Sequence, residues 1–140
     1  MKELDEKTEE KIQELIFRAQ EEFNAYQTEK CVDTLKEGIT LIPGNPAEFQ
    51  LGFTLVNEIC EKSYDDGLLD IVNEWLEQYK ECDKAQRGFG DSEYLVGRLA
   101  FDNGDFESAK SNFKIADEKS GGRIWRRKDA VKYFKFYKEK

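Results

Sequence analysis

This sequence predicts an all-α fold, and three observations carry the reading. Apolar residues recur at steps of three and four along most of its 140 residues. Its two prolines, Pro43 and Pro46, sit side by side in one connection and leave long helices uninterrupted. No run alternates with period two between hairpin turns, so no strand is expected.

The elements follow in order. Residues 5–25 read as a long helix, with Leu4, Ile12, Leu15, Ile16, Ala19, Phe23 and Tyr26 at helical spacing. Before Ile12 the surface is almost wholly charged, so the first turns project into solvent. A second helix spans Thr28 to Leu41, with Val32, Leu35, Ile39 and Ile42 as its buried stripe. Pro43-Gly44-Asn45-Pro46 stops it, because proline removes a donor and glycine frees the backbone. The third helix begins at Pro46, where proline suits a first turn, and Phe49, Phe53, Val56 and Cys60 share a face. After the Asp65-Asp66-Gly67 turn, the fourth carries Leu68, Leu69, Val72, Trp75, Leu76 and Tyr79. That is the widest apolar face in the chain, which places this helix centrally. The stretch Gly88 to Ser92 breaks it, and Asp91 or Ser92 can cap the fifth helix. Helices five and six flank Asn103-Gly104-Asp105, and Ser120-Gly121-Gly122 ends the sixth. A basic, aromatic seventh runs from Ile124 to Tyr137, with Ala130, Phe134 and Tyr137 as its inward stripe.

One stretch stands out as a unit: Gly97, then Phe101, the Asn103-Gly104-Asp105-Phe106 turn, then Ala109, Phe113 and Ala116. Sliding the chain on itself by 78 residues sets Ala19 on Gly97, Phe23 on Phe101, Cys31 on Ala109, Leu35 on Phe113 and Gly38 on Ala116. In the middle pair, Phe53, Cys60, Leu68, Val72 and Trp75 match the first at a shift of 37. Glycine costs ~1 kcal/mol inside a helix. Gly38 and Gly97 therefore imply helices that approach closely.

These residues resemble a tetratricopeptide (TPR) unit, most closely over residues 91–121 and more loosely over 12–43 and 47–84. Pro43 stands where the family carries a proline after its second helix, whereas Gly121 stands there in the third unit. The spacing of 37 to 41 residues exceeds the family's repeat of about 34. The resemblance implies a single domain, a TPR-like right-handed superhelix of three helix–turn–helix pairs at about 5–43, 46–84 and 91–120, with a capping helix at about 124–138. It also implies a concave, partner-binding face lined by the first helix of each pair. On that face fall Ile16, Gln20, Phe23, Phe53, Asn57, Tyr94, Arg98, Phe101 and Asp102. The family's carboxylate clamp of Lys, Asn and Arg is not matched: Ile16, Gln20, Phe53 and Asn57 occupy those places, with Arg98 as the one cation.

Composition narrows the function classes. Histidine is absent, which removes Ser-His-Asp and Cys-His nucleophiles, His-ligated zinc and imidazole acid–base chemistry. Three cysteines with no CxxC spacing suggest a reduced, cytoplasmic compartment and small core residues. The adjacent carboxylates Glu9-Glu10, Glu21-Glu22 and Asp65-Asp66 point apart on a helix and suit solvent more than shared acid–base work. The Asp102–Asp105 turn lacks the later ligands of a calcium loop. No long apolar run and no leader-like segment is present.

Charge is uneven. Residues 1–120 hold 14 Lys/Arg against 28 Asp/Glu, and residues 121–140 hold eight against two. An acidic body steers basic partners. The basic, aromatic tail can suggest nucleic acid, but the need of a helical array for a terminal cap explains it better.

The expectation is a non-enzymatic protein- or peptide-binding module or adaptor, without metal, cofactor or membrane partner. A small acidic immunity- or antitoxin-type inhibitor of a toxin is the alternative, and nucleic-acid binding through residues 123–138 the second. The sequence leaves the oligomeric state open.

Overall fold

A computed structural model describes residues 1–86 and 88–139. Among them are seven α-helices and no strand; the one β-type contact is an isolated bridge between Lys2 and Phe49. Among the described residues no helix is long and apolar enough to cross a membrane. The chain divides into two compact units, Met1–Gln86 and Arg87–Lys140.

The first unit holds α1 (Glu6–Asn24), α2 (Thr28–Thr40), α3 (Gln50–Asp65) and α4 (Leu69–Ala85). Asp5 caps α1, its carboxylate accepting from the Thr8 backbone N–H at 2.8 Å. Pro46 does not open α3. It opens a separate 3-10 turn, Pro46–Glu48, capped by the Asn45 side chain, and α3 follows. Gly52 permits that join, because a Cβ there would lie 2.0 Å from the Pro46 carbonyl oxygen. The central helix is α3, not the α4 that the apolar count suggested. It packs against α1, α2, α4 and the 3-10 turn, and its Leu55, Val56, Ile59 and Cys60 are fully buried. Much of the apolar surface on α4 stays near solvent, with Leu69 exposed and Trp75 and Leu76 part-exposed.

The second unit holds α5 (Asp91–Asp102), α6 (Phe106–Ser120) and α7 (Ala130–Lys138). Neither Asp91 nor Ser92 caps α5; Gly90 does, at φ 91°, with its Cα side pressed on the Ala116 backbone. The C-terminal segment is not one helix from residue 124. A 3-10 turn over Arg123–Arg126 and an extended Arg127 precede α7. The inward stripe therefore shifts to Ala130 and Tyr133, and Phe134 turns outward.

The three helix hairpins share one turn. Ala25, Asp66 and Asn103 end α1, α3 and α5 near φ −90° and ψ 10°. Tyr26, Gly67 and Gly104 follow in the left-handed region, at φ 62°, 73° and 78°. Gln27, Leu68 and Asp105 then reach back to the carbonyls of Glu22, Ser63 and Ala100 at 2.8–2.9 Å. This is the Schellman way of satisfying orphan helix-end carbonyls.

The left-handed positions lie 41 and then 37 residues apart, so the middle pair aligns with the first at 41, not 37. In that register Ala19, Cys60 and Gly97 are equivalent, as are Cys31, Val72 and Ala109, and all six are buried. Small side chains at these positions let paired helices close. A Cβ on Gly97 would meet the Phe113 ring at 2.6 Å, and one on Gly38 would meet a Leu55 methyl at 2.8 Å.

Candidate docking surface

The nine side chains expected on one face fall into two groups, five in the first unit and four in the second. In the first unit, Ile12, Leu15 and Ala19 bury the inner stripe of α1. Ile16 and Phe23, one helical step away, are half-buried at its edge, and Gln20 is exposed.

Lys62 of α3 gathers this edge. Its ammonium donates to Gln20 Oε1 at 2.8 Å, pairs with Glu58 at 2.8 Å and stands 4.6 Å from the Phe23 ring centre. Gln20 in turn donates to Asn24 at 2.8 Å. The result is a pre-ordered polar row beside an aromatic surface. Sequence reasoning missed Lys62 and Glu58. The signal that could have found them is their i, i+4 spacing on a helix.

Phe53 and Asn57 engage α4 instead. The Tyr79 hydroxyl donates to Asn57 Oδ1 at 2.6 Å, and the Phe53 and Tyr79 rings lie 6.1 Å apart. Both side chains remain part-exposed.

In the second unit, three of the four expected side chains face their own chain. Tyr94 is fully buried at the centre of an aromatic cluster, about 6 Å from Phe113, Trp125 and Tyr133. Its hydroxyl donates to Asp129 at 2.9 Å. Burial, and then that carboxylate, push the phenol well above its usual range. Arg98, 1% exposed, bonds Asp129 at 3.0 Å and lies 4.3 Å over the Tyr94 ring. Phe101 packs edge-on against Tyr133 and Phe136 at 5.3 and 5.0 Å. Only Asp102 is solvent-exposed.

The surface expected to take a partner is therefore covered, within this unit, by residues 125–136. A stripe of buriable side chains on a helix reads the same whether a partner or the chain's own tail covers it.

The tail spends its aromatic residues on that cover. Trp125 stacks on Tyr137 at 5.1 Å and donates to Asp117 at 2.8 Å, and Tyr133 is buried. The outward side is mostly cationic: Lys128, Lys132, Lys135 and Lys138 are exposed, with Val131 and Phe134 among them.

A second surface lies on the outer side of α1, where Glu6, Glu9, Glu10, Gln13 and Glu14 surround an exposed Phe17 along a shallow hollow. Among the described residues no cluster of three or more His, Cys, Asp and Glu side chains has a geometry that could hold a metal ion. Burial raises the Cys31 and Cys82 thiols to about 11 and the Cys60 thiol further. All three stay protonated at neutral pH and are poor nucleophiles.

No known protein family matches the sequence, and comparison with curated proteins and with solved structures returns no match.

Proposed function

We propose that this chain is a non-enzymatic, TPR-like protein-interaction module that receives a protein or peptide segment on the α1–α3 edge of its first unit. The observation that carries the reading is the Gln20–Lys62–Glu58 row beside Phe23. Part-exposed aromatic and aliphatic surface supplies burial, and polar groups held in advance lower the ordering cost of binding. The three like turns with small residues at equivalent positions support a repeat architecture, and repeats of this kind bind extended segments.

The test is capture from native lysate with the wild type and with Phe23→Ala and Lys62→Ala variants. Loss of a co-eluting protein in both, with the helical circular-dichroism signal intact, supports the reading. Full retention in both rejects it.

A second reading, a small acidic inhibitor that covers a basic toxin, draws on the first unit's charge of 21 Asp/Glu against nine Lys/Arg. Here capture fails when Glu9, Glu10 and Glu14 become Gln and survives Phe23→Ala. Nucleic-acid binding draws less support, because the tail's stacking rings are engaged inside the aromatic cluster.

A further inference from the structure

We infer that the outward face of α7 docks on the outward face of α1 in a second copy of the chain. The inference is independent of the α1–α3 edge.

On α7, Ala130 and Tyr133 turn inward. Val131, 66% exposed, then stands outward with Lys135 and Lys138 at helical spacing, and Lys132 flanks them. Among the described residues, no carboxylate pairs with Lys128, Lys132, Lys135 or Lys138. On α1 the solvent-most apolar residue is Phe17, 69% exposed, with Glu10, Gln13 and Glu14 one and two turns before it. Glu6, Glu9, Glu10 and Glu14 likewise pair with no cation among the described residues.

Each face therefore carries what the other lacks: a lysine row around a valine, and a glutamate row around a phenylalanine. Both repeat at about 5.4 Å per helical turn, so the rows can run in register. The α1 face of another copy offers this complementary charge and is present at the same concentration as α7 itself.

One helix face on another buries less than a stable interface of about 1,200 Å². The association is thus weak, fast and governed by salt. Two copies can exchange this contact reciprocally in a closed pair or pass it along an open chain, and the limiting mass tells the two apart.

Sedimentation velocity on the full chain tests this, from about 10 μM to about 1 mM, at roughly 0.02 M and roughly 0.5 M NaCl. At low salt the weight-average mass rises about twofold or more with concentration; at high salt it stays monomeric. Lys132→Glu/Lys135→Glu/Lys138→Glu and Glu6→Lys/Glu10→Lys/Glu14→Lys are each monomeric alone, and association returns when the two are mixed. All six side chains are exposed, so both variants keep the wild-type circular-dichroism spectrum. A chain that stays monomeric at low salt overturns the inference. So does association that survives either triple reversal, or that fails to return on mixing. A monomer that binds anionic phospholipid vesicles or single-stranded RNA through its lysines assigns the α7 face to that ligand, and likewise overturns it.

Discussion

The Arg98 guanidinium meets the Asp129 carboxylate at 3.0 Å while Arg98 itself is 1% exposed. A charge so deeply placed on α5 has its counter-charge just ahead of α7, 31 residues on, and the Tyr94 hydroxyl completes the arrangement at 2.9 Å. This contact ties the C-terminal segment to the helix pair before it.

Removing the carboxylate takes an ion-pair partner from a buried cation. Asp129→Ala lowers the stability of the chain by about 2–4 kcal/mol, read from urea denaturation. Arg98→Met in the Asp129→Ala background recovers part of that loss, because an apolar side chain of similar length needs no counter-charge. A single-variant loss within about 0.5 kcal/mol of zero would show the pair to be ornamental.

Two of the buried glycines, Gly97 and Gly38, respond differently to a methyl group. Gly97→Ala drives its Cβ to 2.6 Å from the Phe113 ring, which is locked among Tyr94, Trp125 and Tyr133. The expected cost is about 1–3 kcal/mol, larger than the helix-propensity gain of alanine. Gly38→Ala meets the end of the Leu55 side chain, which can turn aside. Its net effect lies within about 1 kcal/mol of zero. Thermal midpoints of the two variants measured side by side check the order.

Tyr26 takes the left-handed turn position that glycine holds in the other two hairpins, and it is 95% exposed. Its side chain has little packing to lose. Tyr26→Gly therefore raises stability by about 1 kcal/mol, while Gly104→Ala at the equivalent position lowers it by a similar amount. Opposite signs in denaturant midpoint confirm the shared turn; equal signs contradict it.

The buried thiols set an alkaline limit. Burial raises Cys31 and Cys82 to about 11, above the value that the unfolded chain shows. The unfolded state thus loses these protons first. Their contribution is fully present below about pH 8.5 and is lost as pH rises through 9 toward 11. Reaction with a disulfide reagent at about pH 8 is slow for the folded chain and fast in denaturant. Fast labelling of the folded chain would contradict this placement.

The helices, their breaks and the small residues Ala19, Gly97 and Ala109 could be read from the chain because each reflects local chemistry. A 3.6-residue period marks a buried stripe, and Gly67 and Gly104 mark backbone that β-carbons resist. The middle pair was misaligned by four residues because Trp75 and Leu68 imitate the spacing of Gly38 and Cys31, while the turn that sets the register carries no unique residue pattern. Tyr26 hides it in the first hairpin.

Lys62 went unseen for a different reason. Its partners Gln20 and Phe23 lie about 40 residues away, and only the packing of α3 on α1 brings them within reach.

By itself the sequence determined the all-helical character, the helix pairs and the glycine-marked turns at Gly67 and Gly104, because hydrogen bonding and hydrophobic period act over a few residues. The tertiary structure alone decided that α3 is the hub of its unit and that Tyr94, Arg98 and Phe101 lie under α7. It likewise turned the lysines of the tail outward and most of its rings inward. Those outcomes depend on which surfaces meet across long stretches of chain, and a buriable stripe is chemically the same whatever finally covers it.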